Sequence, residues 1–124
     1  MELEIVRAKY KTGRYIGKLI EMKEEENRAL FQVLAVETHP QQGDLHQPKQ
    51  IDVPLFHQRK ALAIWKKHWV PSSTVKPYNG DLPDYKQSLE LALNAAKDKV
   101  RNDHSHWGQA SLQLLDELEH EYRL

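Results

Sequence analysis

Val6-Arg7-Ala8-Lys9-Tyr10 alternates apolar and polar residues with the period of a half-buried strand, and Thr12-Gly13 just after it supplies a turn. Tyr15-Ile16-Gly17-Lys18-Leu19-Ile20 carries enough β-branched and aromatic residues for a second strand, in which Gly17 marks a bulge or a close backbone approach. The charged stretch Lys23-Glu24-Glu25-Glu26-Asn27 reads as a solvated hairpin tip, and residues 30–38 as a third strand. A loop over 39–48 follows, with two prolines and a glycine to break any regular element. Residues 51–56 and 61–65 are short apolar segments that would complete a barrel, Pro54 restricting the first to an edge or bulge position. Residues 70–78 read as a tight turn and a last extended segment.

Past Gly80 the period changes from two to that of a helix. Tyr85, Leu89, Ala92, Leu93, Ala96 and Val100 fall on one helical face. Pro83 suits a first turn, and Asp81 or Asp84 an N-cap. Asn102-Asp103-His104-Ser105 breaks that helix, with Asp103 or Ser105 able to cap the next. Trp107, Ser111, Leu114, Leu115, Leu118 and Tyr122 then repeat the same offsets. These are two amphipathic helices joined by a short polar loop. The expected fold is mainly β with α: an N-terminal SH3-like small barrel over residues 1–80, then a C-terminal αα-hairpin over 81–124 packed on it as one unit.

Composition narrows the chemistry. A chain of 124 residues suffices for one domain, and its zero cysteines exclude disulfides, thiolate metal sites and a cysteine nucleophile among these residues. The formal net charge is zero, yet residues 84–124 hold five Lys/Arg against eight Asp/Glu, so the strand-rich part carries the compensating positive charge. Electrostatic partner choice is therefore local. No apolar run approaches the roughly 20 residues of a spanning helix. Met1-Glu2-Leu3-Glu4 does not read as a secretory leader, so the expected location is cytoplasmic.

Histidine is the first residue type to test for chemistry, with seven copies. His39, Asp44 and His46 share one loop and His57 follows it. Two imidazoles and a carboxylate suit Zn²⁺, Fe²⁺ or Mn²⁺, but the spacing matches no metal signature, and no cofactor is expected. A rigid loop explains the same residues: His39 is held extended by Pro40, Gly43 takes a positive φ, and Asp44 makes a local turn. The second candidate is basic and aromatic. Residues 51–80 hold five Lys/Arg against Asp52 alone, and Lys60, Lys66 and Lys67 are interleaved with Trp65 and Trp69. That pattern suits a small-barrel binder of single-stranded nucleic acid, or else a solvated face over a core. The serines lie in no nucleophile-elbow context and the glycines form no phosphate loop, so nothing here demands an enzyme.

Four strings together resemble the kinase-associated protein B family, also called kinase-associated lipoprotein B. They are Tyr10-Lys11-Thr12-Gly13-Arg14-Tyr15-Ile16-Gly17, His39-Pro40-Gln41-Gln42-Gly43-Asp44-Leu45-His46, Phe56-His57-Gln58-Arg59-Lys60-Ala61-Leu62-Ala63, and Val75-Lys76-Pro77-Tyr78 with Pro83-Asp84-Tyr85-Lys86-Gln87-Ser88-Leu89. The resemblance runs from Tyr10 to the final Leu124. It implies an SH3-like barrel with a helical tail, from an endospore-forming bacterium. It also implies a non-enzymatic accessory or activator of a membrane-bound sensor histidine kinase, or of another component of the sporulation phosphorelay. Without a Cys to acylate, membrane contact is expected to be peripheral, at the inner face of the cell membrane and through that partner. The resemblance brings no catalytic residues. The expected partner-binding surface is His39, Pro40, Gly43, Asp44 and His46 beside Phe56, His57 and Arg59, with an arginine fork able to pair a carboxylate or phosphate. The competing reading is that these residues hold the long loop onto the barrel. The helical hairpin is a second docking face, or one through which the chain would form homo-oligomers.

Overall fold

A computed structural model of the chain describes residues 4–43 and 58–124. Among them the order is β1 (Ile5–Tyr10), β2 (Gly13–Lys23), a 3-10 turn (Glu24–Glu26), β3 (Arg28–Thr38), β4 (Lys67–Val70), a second 3-10 turn (Ser72–Thr74), β5 (Lys76–Pro77), α1 (Tyr85–Arg101) and α2 (His106–Tyr122). The five strands form one antiparallel sheet in the order β4-β3-β2-β1-β5. Mainly β with α is thus the architecture. The closed barrel is not: β4 and β5 end the sheet and share no ladder among the described residues.

Two 11-residue strands, β2 and β3, form the spine of the sheet, and their pairing slips register three times, one slip falling between Ile16 and Gly17. Each slip adds local twist and bends the pair. At Gly17 the backbones approach so closely that a Cβ would sit 2.0 Å from the Gln32 carbonyl oxygen. The charged hairpin tip becomes the first 3-10 turn, closed by Asn27 in the left-handed region at φ 52°. Asparagine tolerates that conformation, and its side chain accepts from Ser72 Oγ and Ser73 N–H, tying the tip to the second 3-10 turn.

Residues 61–65, expected as a strand, form none. The Ala61 N–H and both backbone groups of Leu62 are taken by side-chain hydroxyls, and the chain enters β4 only after a turn at Ile64-Trp65. Residues 51–56, the other segment expected to close a barrel, lie outside the described residues.

Both helices start where local chemistry favours it. Asp84 accepts from the Gln87 N–H and Ser105 from the Gly108 N–H, each satisfying an otherwise orphaned donor. The α1 stripe buries Leu89, Ala92, Leu93 and Val100, and packs on β3. Ser88, also buried, accepts from the Val36 N–H at 3.0 Å and donates to the Tyr85 carbonyl at 2.7 Å. The α2 helix packs on α1 through Trp107, Leu115 and Leu118. Tyr122 and Leu124 touch both this cluster and the core under the sheet, joining the two.

One charged residue sits inside the hairpin. Lys97 is 4% exposed, and its ammonium lies 2.9 Å from Asp116 and 3.0 Å from Glu119. Burial works against the charge, but the hydrogen bonds and negative charges of the two carboxylates outweigh it and hold the Lys97 pKa above its ordinary value.

Candidate functional site

His39 follows the last residue of β3, where Pro40 disfavours helical backbone, and its imidazole is buried. His39 is 3% exposed, with Nδ1 3.0 Å from the Pro40 carbonyl and Nε2 3.0 Å from the Tyr122 hydroxyl. That hydroxyl accepts from the Ala61 N–H at 2.9 Å, so its own proton points to Nε2. The network therefore assigns a neutral ring with its proton on Nδ1. Burial lowers the His39 pKa from 6.5 to about 4, against the opposing pull of the Pro40 carbonyl.

Gln42, 2% exposed, closes the seam. Its Oε1 accepts from the Arg59 N–H at 2.9 Å while its Nε2 donates to the Arg59 carbonyl at 2.9 Å and the Pro40 carbonyl at 3.0 Å. A side-chain amide thus imitates a neighbouring strand. Arg59 Nε donates to the Gly43 carbonyl at 3.0 Å, and Gly43 sits at φ 99°, a region that glycine enters without strain.

Three tyrosines from three elements hold the next two residues. Ala61 N–H donates to Tyr122, Leu62 N–H to Tyr15 at 3.3 Å, and the Leu62 carbonyl accepts from Tyr85 at 2.7 Å. Burial pushes the hydroxyls of Tyr15 and Tyr85 up to about 12, so they remain protonated donors and acceptors at any ordinary pH. Outside this seam lies a cleft of about 320 Å³ lined by Tyr10, Lys11, Gln58, Arg59 and Lys60. Lys11 stands at φ 55° in the β1–β2 turn, with its ammonium 5.4 Å from the Tyr10 ring centroid. Lys60 pairs with Glu121 at 2.8 Å, whereas Arg59 makes no ion pair among the described residues. The cleft is basic and has an aromatic wall.

Of the residues expected to face a partner, the structure brings His39, Pro40, Gly43 and Arg59 together. His39, Pro40 and Gly43 are buried beneath the seam, and Arg59 is half-buried at its rim. Asp44, His46, Phe56 and His57 lie outside the described residues. Among the described residues no three His, Asp or Glu side chains are grouped to hold a metal, and both His39 nitrogens are already engaged. Sequence reasoning passed over Lys11, Gln42 and the tyrosine hydroxyls, although Tyr10-Lys11 and Gln42 stand in the strings that carried the resemblance.

The basic aromatic stretch is arranged differently. Trp65 is 60% exposed at φ 71°, with its N–H on the Val33 carbonyl and its own carbonyl on Gln32 Nε2. Trp69 is half-buried on β4, with the Arg28 guanidinium 4.2 Å and the Lys23 ammonium 5.2 Å from its ring centroid. Neither tryptophan is in the core.

The model of a family described as "Kinase associated protein B" matches residues 10–123, from the cleft's Tyr10 to the end of α2. The chain belongs to the kinase-associated protein B family. It is 49% identical over 118 residues to kinase-associated lipoprotein B of Bacillus subtilis (strain 168), covering 95% of this chain and 91% of that one. It is also similar to the crystal structure of kinase-associated protein B from Bacillus cereus, with a TM-score of 0.85, 37% identity, and coverage of 100% and 99% of the two chains. The name marks an association with a kinase, not a reaction. No helix of the described residues is long and apolar enough to cross a membrane.

Proposed function

We propose that this kinase-associated protein B is a non-enzymatic accessory of a membrane-bound sensor histidine kinase, acting at the head of a sporulation phosphorelay. The kinase itself is the favoured partner over a later relay component. One observation carries the surface: Tyr10-Lys11-Thr12, Pro40 and Gln58-Arg59-Lys60, from three of the strings that carry the family resemblance, converge on one basic cleft. An acidic segment of the kinase fits it. Arg59 supplies the planar fork for a carboxylate or phosphate, with Lys11 the second cation and Tyr10 the aromatic anchor. The buried seam beneath holds Arg59 at the rim, so His39, Gln42 and Gly43 support the surface without touching the partner. The protein works in the cytoplasm and meets the membrane through the kinase.

The test is binding of the full chain to the kinase's cytoplasmic region, followed as a function of salt. Lys11→Glu is expected to weaken binding about tenfold, mainly through the association rate, with an unchanged melting temperature. Unchanged affinity removes the cleft as the docking surface. The exposed Trp65 beside Lys66 and Lys67 is the specific observation favouring a second reading, single-stranded nucleic acid. Flat anisotropy with a labelled oligonucleotide at low salt eliminates it.

A further inference from the structure

On the face of the sheet turned away from the core, β1 presents Arg7 and Lys9, while Val6 and Ala8 between them point inward and are buried. The register sets Lys9 directly opposite Arg14 of β2, and Arg7 directly opposite Lys76 of β5. Like charges facing each other in this way destabilise an antiparallel pair, and two such pairs fall on successive outward positions of one strand. An acidic residue at position 9 or 76 would serve the ladder better. All four cations are exposed, and they line an open cleft of about 380 Å³ whose other polar walls are Thr74 and Glu37. Glu37 is committed to Arg7 at 2.8 Å, whereas Lys9, Arg14 and Lys76 make no ion pair among the described residues. The chain as a whole is neutral, so this concentration of positive charge is local.

The surroundings narrow what the patch can hold. The neighbouring ring, Tyr78, is covered by the Arg7 guanidinium at 5.3 Å, and its hydroxyl donates to the Asp81 carbonyl at 2.6 Å, so the patch offers no platform for a stacked base. No large apolar side chain lines the cleft, as contact with a bilayer would require. At the sheet edge β5 has only two residues, and Pro77 has no N–H to offer, so an incoming chain is not added as a further strand. Recognition falls to the side chains, and Glu37 on Arg7 shows the group they take: a carboxylate. Arg7 and Lys9 stand two residues apart along β1, about 6.8 Å, which is also the repeat of alternate side chains on any extended chain.

We propose that this patch docks an extended segment of another protein with acidic residues at alternate positions, lying along β1. Its carboxylates pair with Lys9, Arg14 and Lys76 and compete with Glu37 for Arg7. The two like-charged pairs are then the stability given up for an anionic partner, and the partner relieves them. The surface is separate from the Arg59 cleft and does not depend on what docks there.

The test is fluorescence anisotropy of a labelled peptide of alternating Glu and Ser, about eight residues long, titrated with the full chain at low salt, with amide NMR to locate it. A peptide of alternating Lys and Ser and an oligothymidylate of the same length are the controls. The acidic peptide is expected to bind in a salt-sensitive manner, with its largest shifts at Lys9, Arg14 and Lys76. Lys9→Glu converts a like-charged pair into an opposite one, so it should raise the melting temperature of the free chain by about 2 °C while weakening the peptide about tenfold. Lys76→Gln should weaken it about threefold with no loss of stability, and Glu37→Gln, which frees Arg7, should tighten it about twofold. Shifts confined to Arg59 and Lys60 place the peptide in the other cleft and overturn the proposal. Tighter binding of the oligothymidylate overturns it in favour of nucleic acid. So does a Lys9→Glu chain that binds the peptide unchanged or melts at a lower temperature, because the like-charged pairs are then neither a docking surface nor a cost.

Discussion

Acid should loosen the seam through His39. The ring titrates at about 4 in the folded chain against 6.5 when free, because burial opposes its charge. Between those values the unfolded chain binds a proton that the folded chain does not, so stability falls as pH falls through 6.5 and the loss is complete below 4. The slope inside that window approaches 1.4 kcal/mol per pH unit, or about 2 kcal/mol of loss from His39 between roughly pH 7 and pH 4.5. Protonation also makes Nε2 a donor facing the proton of the Tyr122 hydroxyl, which breaks the chain of bonds from Pro40 to Ala61. Carboxylates lose stability in acid too, so the measurement is a difference. Urea unfolding of the native chain and of His39→Gln, whose amide can still accept from Tyr122, is compared at the two pH values. The native chain is expected to lose about 2 kcal/mol more than the variant. Equal losses in the two chains would falsify the assignment of a neutral, buried imidazole at this position.

Tyr122→Phe removes the hydroxyl that serves both His39 and Ala61, and urea unfolding should show a loss of about 2 kcal/mol, with amide exchange rising first at Ala61. Gly17→Ala places a methyl 2.0 Å from the Gln32 carbonyl oxygen, so the β2–β3 pair must spread; expression of a folded chain with less than about 1 kcal/mol of loss contradicts the close approach. The Lys97 cluster should respond asymmetrically. Neutralising Asp116 and Glu119 together leaves a buried ammonium alone and costs about 3 kcal/mol, whereas Lys97→Met leaves two carboxylates that already reach water and costs less than about 1 kcal/mol. Comparable losses from the two changes argue that Lys97 reaches solvent.

Elements governed by near neighbours could be read along the chain. The β1 and β2 strands, the hairpin tip and both helices with their apolar stripes depend on residues one to four positions apart, and on alternation that a one-residue slip would reverse; each N-cap was narrowed to two residues, of which the structure uses Asp84 and Ser105. Gly17 was legible for the same reason, since an isolated glycine within a strand pattern has few uses besides close approach. Residues 61–65 were not legible, because a short apolar run looks the same whether its backbone joins a ladder or meets three tyrosine hydroxyls. Those hydroxyls come from 47, 23 and 61 positions away, and a tyrosine on an apolar stripe shows only its ring to a periodicity argument.

The candidate site divides in the same way. Arg59 and the turn at Gly43 follow from residue type and position in the chain, and the resemblance pointed to both. That His39 lies buried and neutral, that Gln42 serves as a strand mimic, and that Lys11 meets Arg59 across a cleft were decided only when β1, β3 and α2 came together. The amino-acid order settles which local conformations are cheap and which faces are apolar. Which buried polar groups then satisfy one another depends on distances between segments far apart in the chain, and that pairing set the charge of His39 and the shape of the cleft.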